Sequence, residues 1–209
     1  PVLHGSGDFA VEVRRIQLAH EFDCLAVPLP PSFQTSVEQA IDHLPNVTAV
    51  IQEERPSFST SGWTPESDDD GDNDAQRRVS YVPIDPCQPV VAALRVAIQE
   101  RTPRAFIDLE TDHFESHSLV LPDPYALKRV SIERFSAAAL LGIPRPPAGL
   151  TTDRIRIMAA RLKELETRYE RILFVCALTD WPWIREAYTQ GLTSDEEDAE
   201  VEAAQLCSA

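Results

Sequence analysis

An uninterrupted apolar run at positions 172–178, ILFVCAL, limits the folds open to this chain. Such a run predicts a strand buried on both faces, which is typical of a parallel sheet covered by helices. The segment before it, residues 153–165, has apolar residues at steps of three and four and predicts an amphipathic helix. The polar sequence TDWPW at 179–183 would then lie beyond a strand's carboxyl end, where open α/β sheets hold their ligands. The predicted buried stripe of the helix consists of Ile155, Met158, Leu162 and Leu165.

Strand-like and helix-like patterns alternate along the rest of the chain. The alternation predicts a single α/β domain over residues 1–192, with a mostly parallel sheet flanked by helices. Residues 55–78 are rich in Ser, Pro and Asp, so we expect a long, flexible, acidic insertion loop there. Residues 193–209 contain a second acidic run and predict an acidic tail or linker. The runs expected to share one parallel sheet are residues 22–29, 104–109 and 172–178.

The charge and cysteine content exclude several classes of protein. A net charge of −15 argues against a nucleic-acid partner, because phosphate backbones are bound by Lys and Arg. No apolar run is long enough to cross a membrane, and no signal peptide is visible. The four cysteines form no CxxC pair, which favours a reduced, cytoplasmic protein. Because the sequence starts with Pro1, we expect a piece of a longer protein whose other domains are its partners.

The start of the chain has the order strand, glycine turn, helix. His4 follows a short apolar run, Gly5 and Gly7 form the turn, and Asp8 stands where the helix would begin. Phosphate-binding loops are built in this order, so the glycines and Asp8 are ligand-binding candidates. The third glycine of the dinucleotide fingerprint is absent, which leaves open the alternative of a tight turn followed by a helix cap.

Three further polar or aromatic residues follow predicted strands. Asp108 and Glu110 close the strand at 104–109, and Trp181 follows Asp180. All three are ligand-binding candidates because they would lie at the carboxyl edge of the sheet. The alternatives are that the two carboxylates cap a helix or turn, and that the tryptophan packs the last helix against the sheet.

Three motifs, taken together, are similar to a known superfamily. The first is His4-Gly5 followed by a helix and the strand FDCLAVPLP at 22–30; the second is Asp153-Arg154 at the start of the long helix; the third is RILFVCALTD at 171–180. Their order and spacing resemble the superfamily that includes TraB and PrgY proteins, ChaN, the erythromycin esterases and the Tiki proteases. A divergent, uncharacterised bacterial branch that begins with HGxG is the most similar part of it.

The resemblance implies an active site made of two GxxH motifs, a Glu and an Arg, which in some members is a metal-dependent hydrolase site. His4 takes the place of the first His, and Arg154 takes the place of the Arg. Pro28 stands where the Glu is expected, and Asp180 stands where the second His is expected. Asp180 and His4 are the implied metal ligands, with a divalent metal as the candidate cofactor.

Two classes of function follow. One is a non-catalytic binding or scaffold domain; the alternative is an esterase-type or peptidase-type hydrolase that uses His4, Arg154 and Asp180. The simpler interpretations are a hydrogen-bonded histidine at a strand end and a helix-surface ion pair of Arg154 with Asp153 or a neighbour. Because parallel strands end on one side and a crossover helix returns to it, we expect the three residues to converge in one crevice.

Overall fold

The computed structural model describes residues 1–54, 78–114 and 119–207 of the chain. Residues 55–77, which contain nearly all of the predicted acidic insertion, lie outside the described residues. The helices are α1 Gly7–Ala19, α2 Gln34–Ile41, α3 Pro89–Gln99, α4 Ile132–Leu140, α5 Leu150–Leu165 and α6 Trp181–Gln190. The strands are β1 Cys24–Val27, β2 Thr48–Glu53, β3 Val79–Ile84, β4 Arg104–Phe106, β5 Ile172–Phe174 and β6 Gln205–Cys207.

The predicted parallel sheet is present and has the order β4-β1-β5. Leu25 of β1 is in register with Arg104 of β4 on one side and with Leu173 of β5 on the other, and both pairings are parallel. All four residues of β1 are buried, as expected for a central strand covered on both faces. The prediction that these three apolar runs share one parallel sheet is therefore confirmed.

Backbone pairing extends the parallel sheet beyond its short strands. The Asp108 amide donates to the Leu29 carbonyl at 3.1 Å, so the chain after β4 still follows the chain after β1. The strand predicted at the start of the chain is reduced to one parallel bridge between Val2 and Ala177, held by bonds such as Leu178 N to Val2 O at 2.8 Å. This bridge places the following residue pair, Leu3 and His4, next to the chain that leaves β5.

A second sheet has the order β3-β2-β6 and is antiparallel throughout. The parallel pattern predicted for the domain therefore holds for one of the two sheets that the described residues form. Antiparallel neighbours need no crossover helix between them. The alternation of helix-like and strand-like patterns therefore did not show that β2 and β3 pair in antiparallel fashion. Their ladder runs from Thr48 opposite Ile84 to Glu53 opposite Val79.

The segment predicted as an acidic tail or linker returns to the domain. Its strand β6 pairs with β2, with Leu206 opposite Val50. Ala204 is buried, and its carbonyl accepts a hydrogen bond from Ser36 Oγ at 2.5 Å. Backbone pairing with a distant segment is not encoded in a segment's own composition, which is why the acidic sequence predicts a tail or linker instead of a strand.

Apolar cores lie on both faces of the parallel sheet. Successive residues of β1 point to opposite faces: Leu25 and Val27 join the core that contains α1 and α3, whereas Cys24 and Ala26 join the core that contains α5 and α6. The predicted stripe of α5 is confirmed, because its residues are all buried in the second core. None of the helices in the described ranges is long and apolar enough to cross a membrane.

Candidate functional site

A cavity of about 580 Å³ lies at the carboxyl edge of the parallel sheet. The chain that leaves the central strand β1 reaches β4 on one side of it through α3, which packs on one face of the sheet, whereas the chain that leaves β4 reaches β5 on the other side through α5, which packs on the opposite face. Such a switch point is where open α/β sheets bind ligands. The chain after each strand contributes to the wall, with Pro28 after β1, Asp108 after β4 and Asp180 after β5.

His4, Arg154 and Asp180 all line this cavity. The bridge at Val2 positions His4, the first turns of α5 carry Arg154, and Asp180 lies at the start of α6. The charge of Asp180 acts on both of the other groups, which is consistent with their shared surroundings. The sequence thus identified three groups that meet in space, and the chemical roles assigned to them stay predictions.

Arg154 is held by Asp108 rather than by a neighbour on its own helix. Its Nε donates to Asp108 Oδ1 at 3.1 Å, and its Nη2 donates to Asp108 Oδ2. The two side chains are 13% and 2% exposed, so this is a buried, bidentate ion pair. Burial raises the pKa of Asp108, and the positive charge of Arg154 opposes that rise. The face of Phe114 lies 4.7 Å from the guanidinium and covers it further.

Of the His, Asp and Arg side chains that line the cavity in the described part of the chain, His4 and Asp180 form no ion pair. Water reaches His4, but the surrounding walls remove part of the hydration that an imidazolium requires, and this lowers the pKa of His4; the charge of Asp180 opposes the shift. Asp180 accepts a hydrogen bond from Thr179 Oγ1 at 3.0 Å and makes no side-chain cap bond to α6. A neutral imidazole and a carboxylate therefore face the same space.

The predicted ligand-binding turn at the start of the chain has other partners. The Gly5 amide donates to Gln88 Oε1 at 2.8 Å, and Asp8 forms an ion pair with Lys128 at 2.6 Å. Gly7 opens α1, whose N-cap is Ser6. None of Gly5, Gly7 and Asp8 lines the cavity, so the structure does not bring them together with His4, Arg154 and Asp180, and their assignment to ligand binding stays a prediction. The turn faces the start of α3 and the segment before α4 instead of the sheet edge.

Glu110 and Trp181 also lie outside the cavity wall. Glu110 accepts hydrogen bonds from Ser32, at 2.5 Å from its amide and 2.7 Å from its hydroxyl, and so caps the turn before α2. Trp181 packs against the core between α5 and the sheet. Both residues have the structural role that was the alternative to ligand binding.

Much of the cavity wall was not identified from the sequence. It includes the proline link ahead of α5 and residues of β2 and β3 in the antiparallel sheet. Of these segments, only the proline link at 144–147 could have been recognised in the sequence, since clustered prolines form a rigid, apolar segment in front of a helix. The residues missed include Leu29, Phe33, Gln52, Ser80, Tyr81, Leu109, Phe114, Leu119, Pro144, Arg145, Pro146 and Pro147.

The donor set does not fit a bound metal ion. Within residues 1–54, 78–114 and 119–207, no group of three or more His, Cys, Asp or Glu side chains is placed to hold one. The cavity offers His4 and Asp180, while Asp108 is engaged with Arg154. Catalytic zinc sites use three protein ligands. Among the described residues, the cavity therefore offers two of the three protein ligands that a catalytic zinc ion needs.

Comparisons of the chain with protein-family models, with curated proteins and with solved structures give no match. The resemblance of the three motifs to the TraB and erythromycin esterase superfamily therefore stays a prediction.

Proposed function

We propose that this chain is a divergent, non-catalytic relative of that superfamily whose cavity binds a small organic molecule. The single observation that carries the proposal is the buried ion pair of Arg154 with Asp108. The resemblance implies that the Arg binds a substrate oxygen in catalytic members. Here the donors Nε and Nη2 of Arg154 point to a carboxylate within the protein, so the side chain has a structural role.

The wall of the cavity supports the same conclusion. Pro28 lines the cavity and occupies the place that the resemblance assigns to a Glu. A proline side chain has no group that transfers a proton, so the most direct general base of the superfamily is missing. The volume of about 580 Å³ and the apolar wall suit a drug-sized ligand held by a few polar groups.

Hydrolysis remains the second candidate because of the relation between His4 and Asp180. Both line the cavity, and the negative charge of Asp180 acts on the His4 ring. A neutral imidazole near a carboxylate is an arrangement that general-base catalysis uses. This candidate needs His4 to activate water without the missing Glu.

The first test separates catalysis from binding. Wild-type protein and the His4→Ala/Asp180→Ala double variant are assayed with 4-nitrophenyl acetate, 4-nitrophenyl butyrate and a fluorogenic peptide library. We expect equal rates, because neither side chain carries a reaction. A wild-type rate that clearly exceeds that of the folded double variant would overturn the proposal in favour of the hydrolase.

The second test addresses binding in the cavity. A fragment library is screened by thermal shift against wild type and against Ser80→Trp, in which a half-buried side chain of the cavity wall becomes much larger. We expect fragments that raise the Tm of the wild type and fail to raise that of the variant. Circular dichroism confirms that the variant folds. A library without such fragments would contradict a binding function for this cavity.

We also propose the cytoplasmic location and the partners that the sequence predicts. All four cysteines are free thiols, and burial raises the pKa of Cys24 to about 11 and that of Cys176 to about 12, which supports inert thiols in a reducing cytoplasm. The net charge of −15 supports a domain without a nucleic-acid partner. Other domains of a longer protein remain the proposed macromolecular partners.

A further inference from the structure

We infer that the cavity selects a protonated primary amine with an apolar body, an inference that rests on the proposed binding function. The charges that line the cavity give the first reason. Arg154 forms an ion pair with Asp108, and the second arginine of the wall, Arg145, forms an ion pair with Glu186 at 2.6 Å. The carboxylate of Asp180 is left as the charge without a cationic partner of its own in the described part of the chain.

The second reason is the type of hydrogen-bonding group available. The carboxylate of Asp180 accepts a hydrogen bond from Thr179 among the described residues and therefore keeps lone pairs for a ligand. A neutral His4 contributes a ring nitrogen that accepts a hydrogen bond. An ammonium group has three N–H donors and no acceptor, so it matches this pair. A ligand carboxylate or phosphate would instead meet Asp180 with the same sign of charge.

The third reason is that the carboxylates of this site outnumber its guanidinium. The negative charge of Asp180 acts on Asp108 as well as on Arg154, so two carboxylates face one guanidinium. A ligand cation next to Asp180 would balance the excess negative charge in a partly enclosed space. Electrostatic interactions are stronger there than in bulk water, because the cavity wall replaces part of the screening water.

The fourth reason concerns the body of the ligand. Beside its polar groups the wall carries apolar side chains, with Leu29, Phe33 and Leu109 contributed by the chain after β1 and β4. Burial of apolar ligand surface against these side chains would supply affinity. The polar end would set the orientation, and the charge would set the selectivity.

Calorimetric titration at pH 7.5 and low salt tests the inference with three probes of one shape: 4-phenylbutylamine, 4-phenylbutan-1-ol and 4-phenylbutanoate. We expect the amine to bind at least about tenfold more tightly than the alcohol, since both can donate a hydrogen bond to the Asp180 carboxylate but only the ammonium carries the opposite charge. We expect the carboxylate to bind more weakly than the alcohol.

Asp180→Asn identifies the group responsible. This variant is expected to lose at least about tenfold in affinity for the amine while keeping its affinity for the alcohol. Folding should be preserved, because Asp180 makes no cap bond to α6. The control Asp195→Asn makes the same chemical change at an exposed position outside the cavity and is expected to leave all three affinities unchanged.

The outcomes separate the two proposals. An alcohol or carboxylate that binds as tightly as the amine, or an amine affinity unchanged in Asp180→Asn, would refute the ligand class while the binding function stands. If none of the three probes binds but a library fragment occupies the cavity, the ligand class is again wrong. If neither the probes nor the library bind, both proposals fail. Should Asp180→Asn not fold, the comparison of the three probes on the wild type still decides the ligand class.

Discussion

Replacing Asp108 by Asn is expected to lower the free energy of unfolding by about 3 kcal/mol. The Asp108 side chain is 2% exposed, and it accepts two hydrogen bonds from Arg154, which is 13% exposed. Removing one partner of a buried ion pair costs about 3–5 kcal/mol, because the other charge stays buried. Asn retains one neutral acceptor, worth about 1 kcal/mol, so the lower end of that range applies.

Urea unfolding followed by circular dichroism at pH 7.5 measures this effect. The midpoint should fall while the slope with denaturant is unchanged, since the folded state buries the same surface. The double variant Asp108→Asn/Arg154→Met should lose clearly less stability than the two single variants together, because it leaves no buried charge unpaired. Glu12→Gln breaks an exposed ion pair with Arg15 and is the control, expected to leave stability unchanged.

A loss below about 1 kcal/mol for Asp108→Asn, the size of one neutral hydrogen bond, would refute this reasoning. It would mean that burial keeps the Asp108 carboxyl neutral in the folded protein, in line with the direction in which burial moves its pKa. Arg154 would then be available as a cation in the cavity, and the amine inference would lose its first premise. Additive effects in the double variant would lead to the same conclusion.

Three further outcomes are expected. Truncation after Leu192 should lower the Tm measured by calorimetry, because it removes strand Gln205–Cys207 and the buried Ala204 beside it; an unchanged Tm would contradict the pairing of that strand. Stability should decline as the pH falls through about 6.5, since the lowered pKa of His4 makes the unfolded chain bind more protons; His4→Gln should weaken this decline in urea titrations at pH 5.5 and 7.5. Glu110→Gln should cost about 1–2 kcal/mol in urea unfolding, because only one of the two oxygens that bond Ser32 stays an acceptor; an unchanged midpoint would show those bonds to be unimportant.

The amino-acid sequence by itself determined the parallel sheet and the helix that leads into its last strand. The runs around β1, β4 and β5 each contain an unbroken apolar stretch, at 24–29, 105–107 and 172–178, and the stripe of α5 repeats every three or four residues. These patterns are local, and burial enforces them wherever the elements pack. Chain direction then predicted that His4, Arg154 and Asp180 would line one crevice, because the ends of parallel strands and the start of a crossover helix meet on one side.

The tertiary structure alone decided which groups pair within that crevice and what closes it. The partner of Arg154 is Asp108, far away in sequence, and not a neighbour on α5. The antiparallel sheet and the return of β6 bring Gln52 and Tyr81 to the wall. Pairing between distant segments depends on the packing of the whole chain, and the local pattern of each segment does not record it. The same dependence applies at the start of α1, where Gln88 and Lys128 bind the turn that the sequence predicts to be a ligand-binding site.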